Sequence, residues 1–462
     1  MTRIEKDALG KKAVPTDAYY GIHTQRASEN FQISGKICLE MFHTIALIKI
    51  AAACAHRKLK LLDVKKSSAI EKASKEILAG KFDDQFIVDI YQAGAGTATH
   101  MNVNEVIANR ATEILGGKKG SYIVHSNDHV NMSQSTNDVF PTAMRILLLQ
   151  LSKHLLSALY HLEQQLHQKA QSNKTILKSG RTHLQDAVPM TWGQEIEAWA
   201  VTVHDCQRRI DDALNYLTEL SIGGTAIGTG TNAHPKYKAL VVKELRILTR
   251  LPLKSKQNLI EATQSMADFT HFSGALRETA VELARISKDI QLLSSGPRTG
   301  LHELLLPAVE PGSSIMPGKV NPSMAEMLCM VCYQVIGYDK AVEIAALSGN
   351  LELNVNMPLI AHNLIDGTAI LTHAIKEFDE RCVRDMNVNK KVSEENYKNS
   401  QGMATFLNPL IGYAKAAEIT QIADREHKDI VTIIRERKIL SEKQIRTIFK
   451  TRQKPPANGL MA

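Results

Sequence analysis

Four short stretches concentrate side chains able to bind anions or move protons. Gly312–Pro322 reads GSSIMPGKVNP and holds two serines, one lysine and one asparagine among glycines and prolines. Gly94–Arg110 reads GAGTATHMNVNEVIANR, Val130–Thr142 reads VNMSQSTNDVFPT, and Ser179–Glu195 reads SGRTHLQDAVPMTWGQE. Each is dense in Ser, Thr, Asn, His or Gln, and their centres carry almost no Asp or Glu. Hydroxyls and amides donate hydrogen bonds without carrying charge, while a lysine and a histidine add cationic or titratable donors. That donor set suits a dicarboxylate. Taken singly, the same residues also read as helix caps and turns. Four such clusters in one chain favour a shared anion site.

The first stretch belongs to a connection running from about Ser294 to Asn321, far longer than the roughly two to eight residues that usually join helices. Long ordered loops of this kind commonly carry function. The loop ends where a helix is expected to begin. Asn321 suits the N-cap, Pro322 fits the first helical position, and Ser323 with Glu326 has capping-box spacing. A helix N-terminus presents partly positive N–H groups that favour an anion.

The elements that must hold these clusters are helices. Met144, Leu148, Leu151, Leu155, Leu159, Leu162 and Leu166 recur at steps of three and four and share one helix face. Phe269, Phe272, Leu276, Leu283, Ile286, Ile290 and Leu293 approach a heptad, which implies bundle packing. Further long helices are expected over Met190–Leu220, Ser323–Leu347 and Ile360–Phe378. Between Met327 and Ile336 the pattern is apolar almost all round, so that helix must be buried on every side, most simply in an oligomer. Strand signals are weak throughout. The chain reads as three regions: 1–137, mixed with short helices; 138–390, the long helices; and 391–462, a small terminal helical unit.

The 462 residues exceed one small core, and 44% hydrophobic with 23% charged content is ordinary for a globular protein. No apolar run reaches the roughly 18–20 residues of a membrane span, and the N-terminus lacks a secretory apolar core. A cytoplasmic location is expected. Six scattered cysteines suggest reduced thiols, and Cys329 with Cys332 reads as two buried small residues on a helix. The net charge is +8, and part of the excess lies in a basic tail from Arg425 to Lys454, read as a solvated helical hairpin. No nucleic-acid signature accompanies it. Walker A, GxGxxG, HExxH and GxSxG motifs are absent from the sequence, which removes support for phosphate, dinucleotide, zinc-protease and α/β-hydrolase readings.

With these residues in view, the chain resembles the fumarase/aspartase superfamily. GSSIMPGKVNP is similar to its signature loop, and GAGTATHMNVNEVIANR, QSTND and GRTHLQDAVPMTWGQE are similar to its other active-site segments, in the same order over nearly the whole chain. Two branches compete: aspartate ammonia-lyase and class II fumarase. RIEKDALGKKAVPTDAYYGIHTQRA, QSTND, HLQDA, NLELNVNMPLIAHNL and KNSQGMATFLNPLIGYAKAAEI resemble the ammonia-lyase branch. A non-enzyme alternative keeps the fold for binding or structure alone. Two positions depart from the pattern: His100 stands where the family usually has Asn, and Met132 where it usually has Lys.

The resemblance implies a mainly all-α, three-domain fold with a central long-helix bundle, assembled as a homotetramer whose active sites draw on three subunits. It implies reversible deamination of L-aspartate to fumarate. In that scheme Ser313 is the base, reacting as an alkoxide stabilised by N–H groups around Gly312 and Ser314 with Lys319 nearby. Thr97, Ser135, Thr136 and Ser314 hold the β-carboxylate. Lys319 and Asn321 hold the α-carboxylate. Asn137, Thr182 and His183 surround the amino group, with Glu326 pairing His183; His183 is also the rival base. His125, Asn127 and Asp128 match a secondary carboxylate site of the fumarase branch, and no role is expected for it here. No organic cofactor is implied. Some aspartases respond to Mg²⁺, but no ligand cluster in this sequence demands it.

Overall fold

The computed structural model describes residues 1–451. In chain order the main elements begin with a hairpin of β1 (Thr2–Asp7) and β2 (Gly10–Pro15), then α1 (Ile22–Asn30), α2 (Leu39–Lys58), α3 (Val64–Leu78), α4 (Thr97–Ile114) and α5 (Thr136–Ser172). A second hairpin follows, β3 (Leu177–Thr182) and β4 (Gln185–Thr191), then α6 (Trp192–Leu217), α7 (Tyr237–Thr249), α8 (Leu259–Gln264) and α9 (Ala267–Leu293). The chain continues through α10 (Ser323–Leu347), α11 (Met357–Phe378) and α12 (Lys390–Asn399). It closes with α13 (Asn408–Ile411), α14 (Tyr413–Glu426), α15 (Ile430–Glu436) and α16 (Glu442–Thr451). The fold is mainly α, as expected.

Helix periodicity explains the long elements. Of the α5 stripe, Met144, Leu148, Leu155, Leu159, Leu162 and Leu166 are all buried. Leu151 is half-buried. The stripe of α9, from Phe269 to Leu293, is buried at every expected position. Each such side chain removed from water contributes about 1.5–3 kcal/mol. The expected start of α10 at Ser323 is met, but Met190 lies in β4 and α6 begins only at Trp192.

The chain forms two compact units. One comprises Met1–Leu156, Arg208–Glu278 and Gln334–Leu371. Its core includes α2, whose length and composition alone would suit a membrane span, although 72% of its apolar window is buried. The other comprises Ser157–Gln207, Thr279–Tyr333 and the described residues from Thr372 onward. There the hairpin β3–β4 was not expected. Its register pairs Leu177 with Thr191 and Thr182 with Gln185.

The basic tail also differs from expectation. It is not a solvated hairpin: Ile430, Ile433, Ile434 and Ile445 are buried in one cluster with Tyr397, Leu407 and Ile419. Charge on one face hid an apolar face at helical spacing. Residues 452–454 of that tail lie outside the described residues. Cys329 and Cys332 are buried on α10, as expected. The same helix nevertheless leaves Met330 64% and Tyr333 51% exposed within a single chain. That is the face for which an oligomer was inferred.

Candidate active site

The expected site residues fall into two groups, one in each compact unit. In the first unit, Thr97 opens α4 behind a tight turn. Gly96 has φ 88°, and a Cβ there would lie 2.3 Å from the Phe140 ring, so both conformation and space demand glycine. Ala95 before it is also left-handed, at φ 64°, and its N–H donates to the Val355 carbonyl at 2.8 Å. Thr97 is thereby fixed in a first turn, where unpaired backbone N–H groups favour an anion.

Ser135, Thr136 and Asn137 stand at the start of α5. Ser135 Oγ accepts from the Asn137 N–H at 3.3 Å, and the Ser135 N–H donates to Asp138 Oδ1 at 2.9 Å. This reciprocal cap sets the helix start. Asp138 Oδ2 accepts from the N–H groups of Gly223 at 3.0 Å and Thr225 at 2.9 Å. Burial pushes the Asp138 carboxyl up to about 6, against the pull of those N–H bonds and of Lys49. Asn137 Nδ2 donates to the Ala226 carbonyl at 2.7 Å. Pro141 has no N–H with which to bond the Asn137 carbonyl one turn back.

One turn along α4 from Thr97 lies His100, on the same helix face. Its Nδ1 is 2.8 Å from Thr136 Oγ1, which ties the two helix starts together. Its Nε2 is 2.6 Å from Lys49 Nζ. Lys49 and His100 are both buried. Burial lowers the basicity of both, and the Lys49 charge lowers that of His100 further. Lys49 was not singled out from the sequence; the signal available was a lone lysine in the apolar run FHTIALIKIAAAC.

In the second unit, Thr182 and His183 sit at the tip of the β3–β4 hairpin. His183 and Leu184 form its two-residue turn, with φ 54° and 62°. Both are left-handed, as a type I′ turn requires, yet neither is Gly, Asn or Asp. The strain is held from behind. Arg181 donates to Glu303 at 2.6 and 3.1 Å, and Glu303 is fully buried. The ion pair raises the Arg181 guanidinium above its ordinary range. Glu303 also accepts from Asn396 at 2.7 Å, while Lys178 pairs with Glu195 and lies 4.1 Å over the Trp192 ring. Arg181 and Glu303 are positioning residues that the sequence reading missed, although GRTH displays the arginine.

The Gly312–Pro322 loop closes on itself. The Gly312 N–H donates to the Lys319 carbonyl and Asn321 Nδ2 donates to the Gly312 carbonyl, each at 2.8 Å. A Cβ on Gly312 would lie 2.7 Å from the Lys319 oxygen, so glycine permits this neck. Asn321 was expected to cap α10, but the Pro322 carbonyl, one residue later, accepts the first helical bond, from Glu326 N–H at 3.0 Å, and Asn321 Nδ2 is committed to the neck. Ser313 Oγ accepts from the N–H groups of Ile315 at 3.2 Å and Met316 at 3.0 Å. The donors were expected around Gly312 and Ser314. A serine side chain reaches residues two and three ahead more easily than its immediate neighbours, which explains the shift.

Ser314 and Lys319 are exposed, and so is Glu326. No hydrogen bond or ion pair joins His183 to Glu326 within the chain among the described residues. His125 and Asn127 line a separate cavity of about 230 Å³ together with Glu5, Glu105 and Tyr122. Among the described residues, no group of three His, Cys, Asp or Glu side chains is placed to hold a metal ion.

A family model described as "Lyase" matches residues 10–337, and one described as "Fumarase C C-terminus" matches 403–453. The chain belongs to the fumarase/aspartase superfamily of lyases. Within it, relatives of both the ammonia-lyase and the fumarate hydratase branches match this chain. It is 46% identical to the aspartate ammonia-lyase of Helicobacter pylori strain J99, over 97% of each chain. A class II fumarate hydratase of Halalkalibacterium halodurans is also 46% identical, over 92% of each. The crystal structure of a cobalt-bound fumarate lyase:delta crystallin from Brucella melitensis superposes with a TM-score of 0.94 at 44% identity, covering 97% of this chain and 98% of that one.

Proposed function

We propose that the protein is an aspartate ammonia-lyase, converting L-aspartate reversibly to fumarate and ammonia. The observation that carries this reading is Ser313 Oγ, which accepts two backbone N–H bonds within the loop. Hydrogen bonds to the charged form favour it, so these donors stabilise an alkoxide able to act as a base. Ser313 Oγ takes a proton from the carbon beside the β-carboxylate. The electron pair left behind spreads onto that carboxylate as an aci-carboxylate. It then returns to form the C=C bond as the C–N bond breaks anti to the lost proton and ammonia leaves.

Charge develops on the β-carboxylate, so fixed donors aimed there lower the barrier. Thr97, Ser135, Thr136 and Ser314 serve that role. Lys319 and Asn321 hold the α-carboxylate, while Asn137, Thr182 and His183 surround the amino group. Glu326 pairs His183 across a subunit boundary, in a homotetramer whose sites draw on three chains. The exposed apolar face of α10, with Met330 and Tyr333, supports such burial between subunits. We place the enzyme in the cytoplasm.

A second reading, class II fumarase, rests on the equal identity to the Halalkalibacterium halodurans protein. Fumarate absorbance after adding L-aspartate, then separately L-malate, decides between them. Fumarate from aspartate alone is expected. Fumarate from malate alone would overturn the proposal in favour of fumarase.

A further inference from the structure

The contacts of His100 assign it a task that asparagine, which the resemblance leads one to expect there, could not perform in full. Lys49 Nζ faces three partners: His100 Nε2 at 2.6 Å, Asn131 Oδ1 at 3.0 Å and Gln134 Oε1 at 2.9 Å. Both amides are committed in orientation. Gln134 Nε2 donates to the carbonyls of Val130 and Met132, each at 3.1 Å, and Asn131 Nδ2 donates to the Gln134 carbonyl at 3.3 Å. Their oxygens therefore demand two hydrogens from Lys49. The third contact, to His100, depends on the charge of the amine.

As an ammonium, Lys49 donates a third hydrogen to His100 Nε2. The neutral imidazole then carries its hydrogen on Nδ1 and donates it to Thr136 Oγ1. The Thr136 hydroxyl hydrogen is left to point at a ligand. As a neutral amine, Lys49 has only two hydrogens, both used by the amides, and its lone pair accepts from His100 Nε2–H. Nδ1 then becomes an acceptor, and the Thr136 hydroxyl turns inward to donate to it. A carboxylate needs the first arrangement.

We propose that His100 is a positioning residue that transmits the charge of buried Lys49 to Thr136, so that the Thr136 hydroxyl donates to a substrate carboxylate only while Lys49 is an ammonium. The inference rests on the reading of Thr136 as a carboxylate donor. Other groups around the pair leave Lys49 as the switching cation. Asp138 faces it from α5 and favours the charged amine. On α2, burial and the Lys49 charge push His56 down to about 4, so it is neutral where the relay acts. His23 on α1 is also lowered by burial, and Tyr237 on α7, stacked on His56, is held well above its ordinary value. Burial depresses Lys49, so carboxylate affinity is full at low pH and is lost as pH rises through its lowered range.

The test is calorimetric binding of succinate, a non-reacting dicarboxylate, to the full chain from about pH 6 to about pH 10. The wild type should lose about tenfold in affinity per pH unit above the Lys49 transition, with proton uptake on binding. His100→Asn keeps a donor beside Thr136 but cannot reach Lys49, so it should bind with affinity that ignores this transition. His100→Gln reaches Lys49 but not Thr136 and should bind about tenfold more weakly at every pH. Groups elsewhere in the site titrate alike in wild type and variants and cancel in the comparison. Circular dichroism confirms folding, and if one variant fails to fold the other still decides. The same pH dependence in wild type and His100→Asn, or wild-type affinity in His100→Gln, would overturn the relay. Thr136→Val separates the two readings. If it binds succinate as tightly as wild type, the carboxylate assignment of Thr136 is wrong; if it binds weakly while His100→Asn keeps the wild-type pH profile, only the relay is wrong.

Discussion

The start of α5 and the Ser313 loop both present serine hydroxyls, but their surroundings are opposite. Around Thr136, Asp138, His100 and Lys49 are all buried and every contact is to another fixed group. Around Ser313, residues 314–320 are exposed and Ile315 is 83% exposed, with Gly312 and Asn321 tying the neck. A carboxylate seat benefits from dipoles that do not have to reorganise. A base must reach its proton in a closed, dry site and still let product leave, which suits a segment with few buried contacts. In the proposed mechanism the contrast separates the part of the β-carboxylate seat built into the rigid helix starts from proton transfer carried by a loop, which also brings Ser314, Lys319 and Asn321 to the carboxylates.

Ser313→Ala should break the loop half of this contrast most severely. Turnover, followed as fumarate absorbance, is expected to fall about a thousandfold or more; wild-type turnover would remove Ser313 as base. Gly312→Ala comes next. Its methyl group would press on the Lys319 oxygen and force the neck open. A displacement of about 1 Å costs on the order of a hundredfold in kcat, with little change in melting temperature. Unchanged kcat would show that the neck does not position Ser313.

Lys319→Ala should raise the aspartate KM by about tenfold to a hundredfold, since hydrogen bonds to charged groups contribute about 1.5–3 kcal/mol. An unaltered KM would detach Lys319 from the α-carboxylate. The smallest effect on activity belongs to the scaffold. Leu159→Ala empties a fully buried position on α5 and should cost about 2–5 kcal/mol in denaturant unfolding while sparing KM. If it shifts KM strongly instead, the scaffold and the seat are not separable.

What was legible followed from repetition. The stripes of α5 and α9 were readable because apolar residues recur at helical spacing over many turns, and burial enforces that spacing. The β3–β4 hairpin was not readable, because its turn uses His183 and Leu184 where Asn-Gly or Asp-Gly would have signalled it. Asn321 carried a cap signal, but the helix starts one residue later and its Nδ2 donates to the Gly312 carbonyl, a contact nine residues back that no local pattern encodes. Clusters containing Ser313, Thr136 and His183 stood out by composition. Their partners did not: Lys49 lies 51 residues before His100, and Glu303 lies 122 residues beyond Arg181. Long-range pairing of single polar residues leaves no periodic trace.

The division between seat and base is tested most directly by the succinate affinity of Ser313→Ala, measured beside its turnover. Near-complete loss of fumarate formation with wild-type succinate affinity is the predicted result. A loss of affinity as large as the loss of turnover would contradict it and make Ser313 part of the seat.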